Sequence, residues 1–161
     1  MITFNADEVF EMAEQIERNG AKFYRKAAAS AGGAARTVFE NLADMEDQHE
    51  KTFHEMRQQL TKTERAAVTF DPDSEGALYL QSMADGKVFN LRADPSEKLT
   101  GGERPQEVLH TAIGLEKDSI VFYLGLRDIV PDARGRGRLD DIIKEEMGHI
   151  TLLTGQLAAL A

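Results

Sequence analysis

The stretch Leu42-Ala43-Asp44-Met45-Glu46-Asp47-Gln48-His49 returns one hundred residues later as Ile142-Ile143-Lys144-Glu145-Glu146-Met147-Gly148-His149. Both runs carry Glu-x-x-His behind an apolar pair. Upstream of each, Ile16-Glu17 matches Leu115-Glu116 and Phe23-Tyr24 matches Phe122-Tyr123, at an offset of 99 residues. Each half therefore holds a Glu, a Tyr seven residues on, and a Glu-x-x-His about thirty residues after the first Glu. Such recurrence of chemistry-bearing residues at fixed spacing marks a duplicated unit.

The surrounding periodicity is helical. Phe10, Ala13, Ile16, Phe23 and Ala27 are mostly three to four apart and predict a first helix from about Ala6 to Ser30, opened by a capping-box pair, Asn5 and Glu8. Gly32-Gly33 ends it. A second helix is predicted from Ala34 to Thr61, with Val38, Leu42, Met45, Phe53, Met56 and Leu60 inward. Residues 62–104 are rich in turn signals, such as Asp71-Pro72-Asp73, Asp94-Pro95 and Gly101-Gly102. They read as a long crossover containing a short helix over Ser74–Ala84 and a short extended piece over Lys87–Arg92. A third helix is predicted from Pro105 to Val130, and Pro131 is expected to open a fourth that runs to Leu160. The expected architecture is all-α: one domain over 1–161, made of two helical hairpins joined by the crossover.

Composition narrows the function. A chain of 161 residues with 42% hydrophobic residues has enough apolar material for one core. Its formal net charge of −9 gives it no electrostatic reason to hold nucleic acid or anionic lipid. With no cysteine, thiolate catalysis and Cys-ligated metals are excluded within these residues. No apolar run approaches the ~20 residues needed to span a bilayer, and the N-terminus lacks the pattern of a signal peptide. The expectation is a soluble, cytoplasmic protein, with a homodimer as the default assembly.

Geometry brings the repeated residues to one level. Glu17 lies 15 residues before Gly32, and Glu46 and His49 lie 14 and 17 after it. At 1.5 Å per residue all three sit roughly 21–26 Å from the turn. Around Pro131, Glu116 is 15 before, and Glu146 and His149 are 15 and 18 after. Paired about a pseudo-twofold axis, the hairpins would bring six groups together in mid-bundle. Tyr24 shares the stripe of Glu17, and Tyr123 that of Glu116, because residues seven apart nearly superpose around a helix. Glu145, four before His149, could also face inward; the repeat favours Glu146, because Glu145 aligns with Met45.

Four carboxylates and two imidazoles suit two divalent transition metals. Unpartnered, the buried carboxylates would protonate or cost several kcal/mol each; two divalent cations would neutralise them. Each Glu-x-x-His would give one metal its His, with the Glu free to bridge both ions, and Glu17 and Glu116 would be terminal ligands. Tyr24 and Tyr123 would hydrogen-bond ligand carboxylates, although ordinary core aromatics are almost as good a reading. Zinc and manganese also accept such ligands.

At these residues the sequence resembles the ferritin-like superfamily, and most closely the rubrerythrin family, over all four helices. That resemblance implies a ferritin-like bundle and a non-haem di-iron centre held by Glu17, Glu46, His49, Glu116, Glu146 and His149. It also implies reaction with hydrogen peroxide or dioxygen, an external electron-donor protein, and a part in oxidative stress. Two features depart from the family pattern. There is no Cys for the C-terminal rubredoxin-like iron domain, and Ile113 and Ser119 stand where an extra ligand Glu would flank Glu116. A simpler, more symmetric site that oxidises ferrous iron, or draws on a separate donor, is the expectation. The alternatives are iron storage with little turnover and a metal-free structural bundle.

Other features receive plainer readings. Glu107-x-x-His110 also has Glu-x-x-His spacing, but it points away from Glu116 and reads as surface, as does His54, at the surface or rim. Gly20 and Gly148 read as close helix packing. Arg134-Gly135-Arg136-Gly137-Arg138 reads as a frayed, solvated helix end.

Overall fold

The computed structural model describes residues 5–62, 78, 79, 82, 93–130 and 135–160. Among them four long helices stand in chain order: α1 (Ala6–Ser30), α2 (Gly33–Gln58), α3 (Pro105–Ile129) and α4 (Arg136–Ala158), with a 3-10 turn at Pro95–Lys98 before α3. No helix of the described residues is long and apolar enough to cross a membrane.

The local rules of the sequence set most of these boundaries. Asn5 Oδ1 accepts from the Glu8 backbone N–H at 2.9 Å, and Glu8 Oε2 accepts from the Asn5 N–H at 2.8 Å. That reciprocal pair satisfies two of the donors a helix start leaves free. Only Ala31 and Gly32 separate α1 from α2, and Gly33 takes φ +56°, a left-handed conformation that costs a side-chain-bearing residue free energy. Pro105 occupies the first turn of α3, where a missing N–H removes no bond.

The fourth helix differs from expectation. It begins at Arg136, and Gly135 before it has φ +112°, which no right-handed helix can include. A Cβ at Gly135 would also lie 2.9 Å from Met56 Cε. This helix start is partly exposed, as expected, but its arginines make contacts: Arg136 Nε donates to the Val130 carbonyl at 3.0 Å, and Arg138 reaches Gln59 Oε1 at 2.8 Å and Glu55 at 3.6 Å. Pro131 and Arg134 lie outside the described residues. So does the expected extended piece at 87–92; of the expected 74–84 helix, the described residues Leu78, Tyr79 and Ser82 are helical.

The apolar core falls into two compartments. One gathers Phe10, Ala13, Ile16, Phe53, Met56, Phe122, Leu126, Leu139 and Ile142. The other gathers Phe23, Ala27, Phe39, Leu42, Leu109, Ala112 and Leu153. The start of α1 thus packs with the ends of α2 and α3 and the start of α4. The crossover must therefore carry the chain from one end of the bundle to the other. Its last part lies along α1, where Lys22 Nζ meets Asp94 at 3.4 Å and Lys26 Nζ donates to the Ser96 carbonyl at 2.9 Å. Between the compartments sits a layer of buried polar side chains, which belong to the six repeated residues.

Candidate metal centre

Each of the four helices contributes to this layer: Glu17 from α1, Glu46 and His49 from α2, Glu116 from α3, and Glu146 and His149 from α4. None is more than 4% exposed. Two groups can be drawn whose ligand atoms all lie within 4.8 Å of one another: Glu17, Glu46, His49 and Glu146, and Glu46, Glu116, Glu146 and His149. Glu46 and Glu146 belong to both, whereas Glu17 goes with His49 and Glu116 with His149. The six residues that the repeat singles out are thus brought together in one layer.

The imidazoles face the centre with the same nitrogen. His49 Nδ1 is 3.0 Å from Glu146 Oε1 and 3.3 Å from Glu17 Oε2. His149 Nδ1 is 3.0 Å from Glu146 Oε2, 3.4 Å from Glu116 Oε1 and 3.5 Å from Glu46 Oε1. The two rings stack, with centroids 5.7 Å apart and planes 20° apart.

Four buried carboxyls and two imidazoles crowd one another in this layer. Burial, with the charges of Glu146 and Glu116 adding to it, pushes the Glu17 carboxyl up to about 8. Burial likewise carries Glu116 to about 8, and burial and the Glu17 charge raise Glu46. Burial acts upward on Glu146 too, but the adjoining His149 and His49 rings outweigh it and hold this carboxyl low. Burial disfavours the charged form of the histidines. The close approach of Glu146 overcomes this at His49, which rises to about 9; at His149, the adjoining Glu116, Glu146 and Glu46 carboxylates raise it to about 12. Carboxyls this close and this buried cannot all carry charge without positive partners.

The donor atoms themselves support this reading. Glu17 Oε2, Glu46 Oε1, His49 Nδ1, both Glu146 oxygens and both His149 nitrogens are buried with no hydrogen-bond partner among the described residues. Buried polar atoms are normally satisfied, and an unsatisfied one costs about 1–3 kcal/mol. Seven such atoms in one layer, oxygens and nitrogens together, make a donor set that suits divalent transition metals.

Neighbouring groups fix these side chains. Tyr24 donates its phenolic O–H to Glu116, and Tyr123 donates to Glu17. Both phenols are pushed well above 10, first by burial and then by nearby carboxylates, so both remain protonated donors. Their rings are held by aromatic neighbours: Tyr24 stacks on Phe39 at 6.1 Å, and Tyr123 packs on Phe53 at 5.0 Å. The tyrosines are therefore more than core fillers. Each bonds to the other half's carboxylate, although it lies on the stripe of its own helix's Glu.

Two contacts escaped the sequence reading. Glu145, whose side chain is half exposed, accepts through Oε2 from His49 Nε2 at 2.9 Å. Its signal in the sequence was its place four residues before His149. Gly20 is the second. A Cβ there would lie 3.1 Å from Glu46 Oε2 and 3.2 Å from Glu46 Cδ, so the glycine makes room for a carboxylate rather than for a helix backbone. At Gly148 the expected close packing is not found; a Cβ there would meet nothing within 4 Å. As expected, Glu107 and His110 lie at the surface, and Glu107 accepts from the Arg104 N–H at 2.9 Å in the first turn of α3. His54 sits at the rim, 3.3 Å from Glu14.

Comparison with known proteins agrees with this geometry. A crystal structure from Thermotoga maritima, of a protein described as ferritin-like and diiron-carboxylate, superposes with a TM-score of 0.74 at 23% identity, covering 100% of this chain and 99% of that one. At that identity the likeness shows the fold, a ferritin-like bundle. No curated protein matches the chain. The family model for rubrerythrin matches residues 8–157, nearly the whole chain and all six buried Glu and His residues. The chain belongs to the rubrerythrin family.

Proposed function

We propose that this protein is a non-haem di-iron oxidoreductase whose buried Glu/His centre reacts with hydrogen peroxide or dioxygen, as a peroxidase or ferroxidase. The observation that carries the proposal is the convergence of unsatisfied buried donor atoms in one layer. Glu17, Glu46, His49, Glu116, Glu146 and His149 would hold the two ions. Bound there, iron would supply the redox chemistry, giving electrons to the small oxidant.

The chain's own residues do the rest. The four carboxylates make a strongly anionic cage, which favours the more highly charged, oxidised ions. Tyr24 and Tyr123 hold Glu116 and Glu17 in fixed rotamers, so the cage is ordered before any ion enters. The two apolar compartments shield the layer from water at both ends. Electrons would come from ferrous iron itself or from a separate redox protein, because within these residues no second redox group is offered by cysteine.

The test is anaerobic loading with Fe(II), followed by rapid mixing with hydrogen peroxide or with dioxygen, and absorbance monitoring of iron oxidation. Oxidation faster than for free Fe(II), abolished in Glu46→Ala, supports the proposal. Tight binding of iron without accelerated oxidation by either oxidant leaves a storage role instead. Failure to bind iron, zinc or manganese removes the metal reading altogether.

A further inference from the structure

The two halves of the centre are not equivalent, and the difference lies behind the histidines. His49 is 3% exposed and connects the centre with the surface. Its Nδ1 faces Glu17 and Glu146, and its Nε2 lies 2.9 Å from Glu145 Oε2. A carboxylate that receives the Nε2–H leaves the Nδ1 lone pair directed at the centre, makes the ring a better ligand, and stops it from turning. In the other half, the position matching Glu145 is Met45, whose thioether is at best a weak acceptor. Correspondingly, His149 Nε2 is buried and has no hydrogen-bond partner among the described residues.

We propose that Glu145 is a positioning residue that makes the His49 half the tighter metal position, so that the two positions fill in order. This rests on the di-metal reading above. A ring that keeps its outward N–H satisfied loses nothing when it binds a cation. His149, in contrast, has no such carboxylate behind its far nitrogen among the described residues. Removing such a carboxylate partner from a ligating histidine typically costs about 10–100-fold in metal affinity. A gap of that size separates two binding steps in a titration. The repeat doubled the ligands without doubling this support.

The experiment is a calorimetric and visible-absorbance titration of the full, metal-free chain with Co(II) under anaerobic conditions. The wild-type protein is expected to take up two ions in two steps, at least about tenfold apart in affinity. Glu145→Met, which makes the halves alike, should bring the steps together by weakening the first while still binding two ions. Met45→Glu should do so by strengthening the second. Glu145→Gln, neutral but still able to accept, should fall between wild type and Glu145→Met, a grading that a merely structural role would not give. In the zinc-loaded protein, NMR should show a slowly exchanging His49 Nε2–H that is lost in Glu145→Met. Two equal steps in the wild type, or a two-step curve untouched by Glu145→Met, would overturn the inference while leaving the di-metal reading intact. Absence of Co(II) uptake would sink that reading itself, and this inference with it.

Discussion

Tyr24, on α1, hydrogen-bonds to Glu116 on α3 and not to Glu17 on its own helix; Tyr123, on α3, returns the bond to Glu17. The pair joins the first hairpin to the second through the carboxylates of the centre. Tyr24→Phe removes one donor from a buried carboxylate and keeps the ring that stacks on Phe39. The expected loss is about 1–3 kcal/mol of stability in the metal-free chain, read from urea unfolding. In the metal-loaded chain the loss should be smaller, because the cation takes over part of the charge. An equal loss in both states would mean that the bond is independent of the centre.

Glu46→Ala and Glu107→Ala separate the buried motif from its surface counterpart. Both remove a Glu three residues before a His, but only Glu46 lies among the converging ligands. Elemental analysis of purified protein should find about two metal ions per chain in the wild type and in Glu107→Ala. Glu46→Ala should be depleted. Equal metal content in the two variants would contradict the assignment.

Rising pH should destabilise the metal-free chain and strengthen its hold on metal. Glu17 and Glu116 titrate at about 8 when folded, against 4.5 when unfolded, and His49 at about 9 against 6.5. All three are raised, so their contribution to stability is fully present below the unfolded values. It is lost as pH rises through the folded ones. Glu146 is lowered and acts oppositely, but only below its ordinary value of 4.5. Between pH 5 and pH 9 the chelated protein should therefore melt at progressively lower temperature. Metal binding must displace the same protons, so the gap between loaded and chelated melting temperatures should widen over that range. A chelated protein whose stability is flat across it would show that these carboxyls are not buried.

Gly20→Ala and Gly148→Ala form a matched pair on helices. Alanine favours a helix over glycine by up to about 1 kcal/mol. At Gly148 nothing stands in the way, and thermal melting should show that gain. At Gly20 the new methyl would press on the Glu46 carboxylate, so metal affinity should fall even if the metal-free chain gains stability. Calorimetric titration with zinc would reveal the difference. Unchanged affinity in Gly20→Ala would mean that Glu46 has room to move.

Much of this centre was legible in the sequence because helices convert spacing into geometry. Glu17, Glu46, His49, Glu116, Glu146 and His149 could be placed at one level by counting from two turns, and burial followed from the Phe and Tyr residues on the same stripes. What lay beyond reach depends on which helix faces which. The Tyr24–Glu116 bond joins residues 92 apart and the Glu145–His49 bond residues 96 apart. Neither partner can be found from a periodicity within one helix. The start of α4 was misplaced for another reason. Pro131 is a sound helix opener locally, but Gly135 adopts a left-handed conformation that interrupts a helix, and a side chain there would crowd Met56 from another helix.

The division of the apolar interior into two compartments gives the molecule an unusual weak point. Most helical proteins fray from their tips inward, while the middle stays dry. Here each tip has its own greasy plug, and the girdle between them is wettable. Deprived of its ions, such a bundle should admit solvent at the waist first. Amide protons of the central turns, around Glu17 and Glu146, would then exchange with deuterium sooner than those flanking them on either side. Metal would act as a rivet through the middle, giving the two ends a reason to unfold together.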